Sequence, residues 1–104
     1  VESGLALVRE VDMENVGLLL DTFHMNIEEP SITRSILSAR DYLFHVHVAD
    51  SNRWYPGAGH INFAEIIDTL NKINYQGFVS AEILPYPDPD TAAVKTIEYM
   101  RKFI

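Results

Sequence analysis

Three short apolar runs, each carrying an ionisable side chain near its end, constrain the fold of this chain more than any other feature. The runs cover residues 16–21, 41–48 and 78–84. Their length and their β-branched and aromatic residues predict strands, and continuous apolar character is typical of strands buried on both faces. Such strands occur mainly in parallel sheets that are covered by helices.

The segments between the runs have helical periodicity. Helices are predicted over residues 1–11, from an N-cap at Ser31 through the apolar Ile36 and Leu37, over 63–73, and over 91–104. Residues 22–30, 50–62 and 85–89 are predicted to be loops. The order is therefore one helix followed by three βα units, which predicts an α/β fold with parallel strands and right-handed crossovers.

The length of the chain limits how these units can be arranged. The 104 residues suit a single domain spanning 1–104, whereas a closed (β/α)₈ barrel typically needs about 250 residues. Three strands cannot close on themselves, so both outer strands would expose unpaired backbone groups. The chain also begins at Val1 and not at Met. An open three-layer fold is one solution, but we favour a barrel fragment that pairs with another copy or with the missing remainder.

Composition restricts the classes of partner. The net charge of −7 argues against nonspecific nucleic-acid binding, which needs a basic surface. The chain has no cysteine and no disulfide framework, and its 47% hydrophobic content is enough for a core. No apolar run approaches the roughly 20 residues of a membrane span, and no signal-peptide pattern opens the chain. A cytoplasmic location with no membrane partner is expected.

The ionisable residues of the three runs are candidate metal ligands. Asp21, His47 and Glu82 lie near the C-terminal ends of the predicted strands, and ligands bind at that end of parallel α/β folds. One imidazole and two carboxylates suit Mn²⁺, Mg²⁺, Co²⁺ or Zn²⁺. Purely structural roles remain open: Asp21 as an N-cap or loop acceptor, Glu82 in an ion pair. His45 shares a strand face with His47 and is predicted to be a structural histidine of the core.

Polar and aromatic residues on the neighbouring loops suggest a substrate site. His24 and Arg53 follow the first and second strands and could bind substrate hydroxyls or a carbonyl group. Trp54, Tyr55 and Tyr86 could form an apolar wall, although surface packing is the commoner use of such residues. Solvent exposure is equally the ordinary state of loop His and Arg side chains.

Together, these motifs resemble the C-terminal part of the xylose isomerase-like TIM-barrel superfamily, in its sugar isomerase and epimerase branch related to D-tagatose 3-epimerase. The matching motifs are Asp21-Thr22-Phe23-His24, His47 with Arg53 six residues later, Pro56-Gly57-Ala58-Gly59 and Ser80-Ala81-Glu82. The resemblance implies that the three strands are strands six to eight of a (β/α)₈ barrel, with the first helix following strand five. It also implies that the site holds a divalent cation, with Mn²⁺ favoured.

The resemblance assigns a role to each candidate residue. Asp21, His47 and Glu82 would be metal ligands, Glu82 would also be a catalytic acid/base, and His24 and Arg53 would contact a sugar or sugar phosphate. The implied reaction is proton transfer through an enediolate. The family's fourth ligand, a glutamate on strand five, would precede Val1. The isolated chain is therefore expected to be almost inactive.

Three alternatives remain at this stage. An endonuclease IV-like zinc repair enzyme shares the superfamily, but it needs more ligands and a basic DNA-binding surface. Hydroxypyruvate isomerase and inosose dehydratase share the barrel and the metal site. A non-catalytic half-barrel that self-associates is also compatible with three open-edged βα units.

Overall fold

The predicted alternation of strands and helices is present in the computed structural model, which describes residues 1–104. In chain order the elements are α1 (Glu2–Val11), β1 (Leu18–Asp21), α2 (Thr22–Glu28), α3 (Ile32–Ala39), β2 (Leu43–Val48), α4 (Phe63–Lys72), β3 (Val79–Ala81) and α5 (Pro89–Met100). The chain thus has one leading helix and three strands, each followed by helical structure. This arrangement confirms the predicted α/β order of one helix followed by three βα units.

The three strands form one parallel sheet in the order β1-β2-β3. Asp21 on β1 is paired in register with His47 on β2, and His47 is paired with Ser80 on β3. Since the strands run in the same direction, their C-terminal ends form one edge of the sheet. Side chains placed near those ends are therefore neighbours even though they are far apart in sequence.

Helices cover one face of the sheet and enclose the core. Phe63 is fully buried on α4 and packs edge-to-face against Tyr99 of α5, with ring centroids 6.0 Å apart. The buried core cluster consists of Leu5, Leu20, Met25, Ile36, Ala39, Leu43, Val46, Val48, Ile61, Phe63, Ile66, Ile67, Leu70 and Met100. Every buried side-chain nitrogen or oxygen has a hydrogen-bond partner, as is usual in the interior of a folded protein.

The opposite face of the sheet is open. His45 and His47 lie on it and are only partly buried, and Leu19 is 50% exposed. In a closed TIM barrel the corresponding face lines the filled interior. The edges of β1 and β3 are also free of strand partners. These features are what three adjacent units of a barrel have when the remaining strands are not alongside.

The prediction of a loop over residues 22–30 was wrong, because α2 occupies most of it. Asp21 caps this helix, and its Oδ1 accepts a hydrogen bond from the His24 N–H at 3.2 Å. The helix has only seven residues, too few to display a helical period in the sequence. The N-cap role considered for Asp21 is present in the structure, but a cap alone does not predict a helix when no periodic segment follows it.

The ends of the last two elements also differ from the prediction. β3 ends at Ala81. The Glu82 N–H still donates to the Val48 carbonyl of β2 at 3.2 Å, but the Leu84 N–H donates to the Arg53 carbonyl of the neighbouring loop at 2.8 Å. α5 begins at Pro89, since Asp88 accepts from the Thr91 N–H at 2.8 Å and proline suits a first helical turn. No helix has the length and apolar character that a membrane crossing requires.

Candidate metal centre

The three candidate ligands meet at the C-terminal edge of the sheet. Asp21 is the last residue of β1, His47 is the penultimate residue of β2, and Glu82 directly follows β3. One potential ligand atom from each lies within 4.8 Å of the others. The parallel strand order is the cause, because it brings three separate strand ends to one place.

The separations fit a shared cation. His47 Nδ1 lies 3.6 Å from Asp21 Oδ2 and 4.0 Å from Glu82 Oε2. Metal–ligand bonds of about 2.0–2.2 Å place the ligands of one ion roughly 3–4.4 Å apart. The donor set also fits, since one imidazole and two carboxylates bind divalent cations well. These residues could hold one ion with small side-chain movements.

Asp21 uses its two carboxylate oxygens differently. Oδ1 accepts from the His24 N–H as the cap of α2, while Oδ2 faces His47. The side chain is only 8% exposed. The capping bond fixes the orientation of the carboxylate, which leaves one oxygen directed into the triad. The structural and ligating roles considered for Asp21 are therefore compatible.

Thr22 fastens the ends of the first two strands together. Its hydroxyl donates to the Ala49 carbonyl at 2.7 Å and accepts from the Ala49 N–H at 2.9 Å, and both groups are buried. Ala49 follows β2 directly, so the two bonds hold the Asp21 and His47 backbones side by side. The sequence analysis did not identify this clasp, because the pairing joins residues 27 positions apart.

Glu82 is not buried as its apolar run suggested. Its side chain is 52% exposed, and Oε2 accepts from Arg53 Nη2 at 3.0 Å. Exposure follows from its place at the end of the edge strand β3, where no further strand covers it. The carboxylate thus lies between a cation, Arg53, and the imidazole of His47.

The two predicted substrate-binding residues both lie against Phe23. The His24 ring packs edge-to-face on it with centroids 5.2 Å apart, and the Arg53 guanidinium carbon is 5.3 Å from the Phe23 centroid. His24 is exposed, and its only contact with the triad is the backbone bond to Asp21. Two donors and one aromatic surface are therefore grouped beside the triad.

The predicted aromatic wall is partly assembled. Trp54 packs against Tyr86 with ring centroids 5.4 Å apart and against Tyr55 at 6.4 Å. Trp54 is the immediate neighbour of Arg53, so the aromatic group begins next to the triad.

The chain is similar to known proteins over most of its length. A family model described as the xylose isomerase-like TIM barrel matches residues 1–103. The chain belongs to this family. Among curated proteins it is similar to a D-psicose 3-epimerase of Ruminiclostridium cellulolyticum, with 47% identity over 81 residues that make up 78% of this chain and 28% of that protein.

Two further xylose isomerase-like proteins show how much of a barrel the chain represents. An L-ribulose 3-epimerase of Methylomonas sp. is 44% identical over 79 residues, 76% of this chain and 28% of that protein. A solved D-allulose 3-epimerase from Methylomonas sp., in complex with D-allulose, superposes with a TM-score of 0.90 and 34% identity. That match covers 99% of this chain and 42% of the solved chain. The chain therefore spans well under half the length of these relatives.

In a xylose isomerase-like barrel the open sheet face would be interior, which gives His45 a defined environment. A hydrogen bond of 2.7 Å joins its Nε2 to Ser80 Oγ, and its ring packs edge-to-face on His47 with centroids 5.2 Å apart. His45 was predicted to be a core histidine with satisfied partners. It has such partners, but it is only half-buried and lies on the open face.

Asp50, three residues after His47, is a buried carboxylate that the sequence pattern did not single out. Its side chain is fully buried two residues after β2, and its carboxylate accepts hydrogen bonds from backbone N–H groups of the following loop. A sequence signal did exist. An acidic residue just after an apolar strand, followed by glycines at 57 and 59, is typical of a carboxylate that organises a loop.

The surroundings of Asp50 lower its pKa. Burial alone would raise the pKa, but hydrogen bonds from backbone N–H groups outweigh burial and bring the pKa below its ordinary value. Those groups belong to Ile61, Ser51, Gly59 and Gly57. The charged form is therefore the one that the folded loop stabilises.

This shift predicts how acid affects stability. The unfolded pKa of Asp is about 3.9, and the folded pKa of Asp50 lies lower, so its contribution is complete above that pH and is lost as the pH falls through the folded pKa. Asp50→Asn should cost about 1–3 kcal/mol near neutrality. It should also reduce the loss of unfolding free energy as the pH falls below about 4, the unfolded pKa of Asp. Urea unfolding followed by Trp54 fluorescence measures both, and equal pH slopes in the two proteins would contradict the assignment.

Proposed function

We propose that this chain forms the C-terminal part of the active site of a divalent-metal-dependent ketose 3-epimerase. The observation that carries the proposal is the convergence of Asp21, His47 and Glu82 within 4.8 Å at three neighbouring strand ends. Support also comes from relatives, since proteins named D-psicose 3-epimerase and L-ribulose 3-epimerase are 47% and 44% identical to it over most of its length.

The triad would hold the cation through His47 Nδ1 and one oxygen each of Asp21 and Glu82. A bound divalent cation would polarise a substrate carbonyl group and make the neighbouring C–H bond more acidic. The second oxygen of Asp21 remains engaged with the His24 N–H. This bond restricts rotation of the ligand, and ligands fixed in this way bind metal with less loss of conformational freedom.

Glu82 is the acid/base that this chain supplies. Its carboxylate is partly exposed at the open end of the sheet, where a substrate carbon could approach it. It would remove or return the proton on the carbon next to the carbonyl. Inversion at that carbon needs a second acid/base on the opposite side of the substrate. We propose that this second acid/base comes from polypeptide outside these 104 residues. Glu2 does not take the role, because it lies in the first turn of α1 and not at a strand end.

Arg53 and His24 would orient the substrate beside Glu82. Arg53 is the only cationic side chain that contacts the triad, and its guanidinium already pairs with Glu82. The net charge of −7 disfavours the DNA-repair alternative.

The direct test is an assay of a completed barrel. The chain would be produced together with the rest of its barrel, supplied with Mn²⁺ and incubated with D-psicose or L-ribulose. Chromatography should detect the C3 epimer of at least one substrate, and metal removal with a chelator should abolish the reaction. A metal-loaded, folded barrel that leaves both ketoses unchanged would contradict the proposal.

Loss of the imidazole ligand should reduce metal affinity. His47→Gln is expected to weaken Mn²⁺ binding by more than about 100-fold, the upper range seen when only a supporting partner of a ligand is removed. Titration calorimetry measures the change. His60→Gln is the matched control, because His60 is exposed and bonds Ser51 outside the triad. Equal losses in both variants would exclude His47 as a ligand.

A further inference from the structure

The loop between β2 and α4 carries Arg53, and one buried carboxylate organises it. Asp50 Oδ1 accepts from the N–H groups of Ser51 at 2.7 Å and Ile61 at 3.1 Å. Oδ2 accepts from the Gly57 N–H at 2.7 Å. The three donors span eleven residues of sequence. A single side chain therefore ties the beginning, the middle and the end of the loop together.

The backbone of Asp50 holds the same loop a second time. Its N–H donates to the Trp54 carbonyl at 3.0 Å, and its carbonyl accepts from the Arg53 N–H at 2.9 Å. Arg53 itself has φ 64°, in the left-handed region that non-glycine residues rarely adopt. Its carbonyl accepts from the Leu84 N–H at 2.8 Å. Arg53 is thus fixed between the Asp50 turn and the segment that carries Glu82.

The loop has room for this carboxylate because of a glycine. A Cβ atom at Gly59 would lie 2.4 Å from Asp50 Oδ1 and 2.3 Å from Ser51 Oγ. Any side chain there would displace the carboxylate from its donors. Gly59 therefore permits the buried position of the Asp50 carboxylate. The hydrogen bond from the Arg53 N–H to the Asp50 carbonyl then ties the backbone of Arg53 to that position.

We propose that Asp50 is a positioning residue, which holds the loop so that the Arg53 guanidinium faces Glu82. The catalytic consequence of this inference rests on the proposed epimerase function. The positioning of Arg53 by Asp50 does not depend on that function. Asp50 makes no hydrogen bond or ion pair with the triad, so it acts through Arg53. The Arg53 Nη2–Glu82 Oε2 contact of 3.0 Å is the geometry that it maintains.

Kinetics of the completed, metal-loaded enzyme test the catalytic consequence. Asp50→Asn keeps the size of the side chain but replaces one acceptor oxygen with a donor. It should lower kcat/KM by about 100-fold, the loss that a 1 Å misplacement can cause, with Mn²⁺ affinity unchanged. Added to Arg53→Met, it should cause no further loss, because both changes remove the same contact. Ser51→Ala, which removes only bonds to His60, should retain wild-type kinetics.

A second variant and a second measurement keep the inference testable if Asp50→Asn unfolds or if the wild-type barrel is inactive. Gly59→Ala leaves the charge of Asp50 intact but displaces it, and it should reproduce the kinetic loss. In the 104-residue chain, the Arg53 side-chain NMR signal should broaden or shift in Asp50→Asn and Gly59→Ala but not in Ser51→Ala. An unchanged Arg53 signal in both variants would overturn the inference, even if the wild-type barrel epimerises no ketose. Multiplicative losses in the double variant would overturn it in an active barrel.

Discussion

Glu82→Gln in the completed enzyme is expected to reduce epimerisation by at least about 10²- to 10⁴-fold, the range that a general acid/base contributes. Glutamine cannot accept the substrate proton, and it also replaces a charged ligand of the cation. The variant keeps the size of the side chain, and Glu82 lies just beyond the end of β3 and outside the buried core cluster, so folding should be little affected. Initial rates at saturating Mn²⁺ and substrate measure the effect.

The control for this prediction is Glu98→Gln. Glu98 is an exposed carboxylate on α5 that pairs only with Lys95, so its removal should leave the rate unchanged. Calorimetry with Mn²⁺ separates the two roles of Glu82, because a weakened metal site can be refilled at high metal concentration. If Glu82→Gln retained wild-type rates when saturated with Mn²⁺, Glu82 would not be the acid/base.

The isolated 104-residue chain should have almost no epimerase activity, even with saturating Mn²⁺. In the proposed mechanism the chain supplies one acid/base where inversion requires two, and the family resemblance implies a fourth metal ligand outside these residues. Loss of one acid/base alone removes about 10²- to 10⁴-fold of the rate. Addition of the remaining barrel strands, as a separate polypeptide or fused to Val1, should restore activity. Chromatographic assays of the chain with and without that addition measure the difference.

Substantial ketose epimerisation by the chain alone would contradict this account of the site. Sedimentation provides an independent check on the open edges of β1 and β3. The exposed strand edges and the open face with Leu19 predict self-association or pairing with the missing strands. A stable, well-folded monomer would count against the argument from open edges.

The strand order and the convergence of the triad were predictable from the sequence because each depends on short-range patterns. Three apolar runs separated by helical segments require parallel strands. Parallel strands then place Asp21, His47 and Glu82 at one edge of the sheet. No detail of packing is needed for that conclusion. The same reasoning explains why the family resemblance could be recognised from a few motifs around strand ends.

The parts that could not be predicted depend on contacts between distant segments. The cap and ligand roles of Asp21 were left as alternatives, and only the structure shows that its two carboxylate oxygens face different partners, the His24 N–H and His47. The exposure of Glu82 follows from the absence of a strand beyond β3, which an apolar run does not reveal. The Thr22–Ala49 clasp and the Asp50 loop are tertiary hydrogen bonds, and no local period in the sequence marks them.

The central claim is that Asp21, His47 and Glu82 bind a single cation, and anomalous diffraction from crystals containing Mn²⁺ tests it most directly. We predict one anomalous peak within about 2.0–2.3 Å of His47 Nδ1 and of one carboxylate oxygen from each of Asp21 and Glu82. A peak elsewhere on the protein, or triad side chains that stay apart at saturating Mn²⁺, would contradict the account.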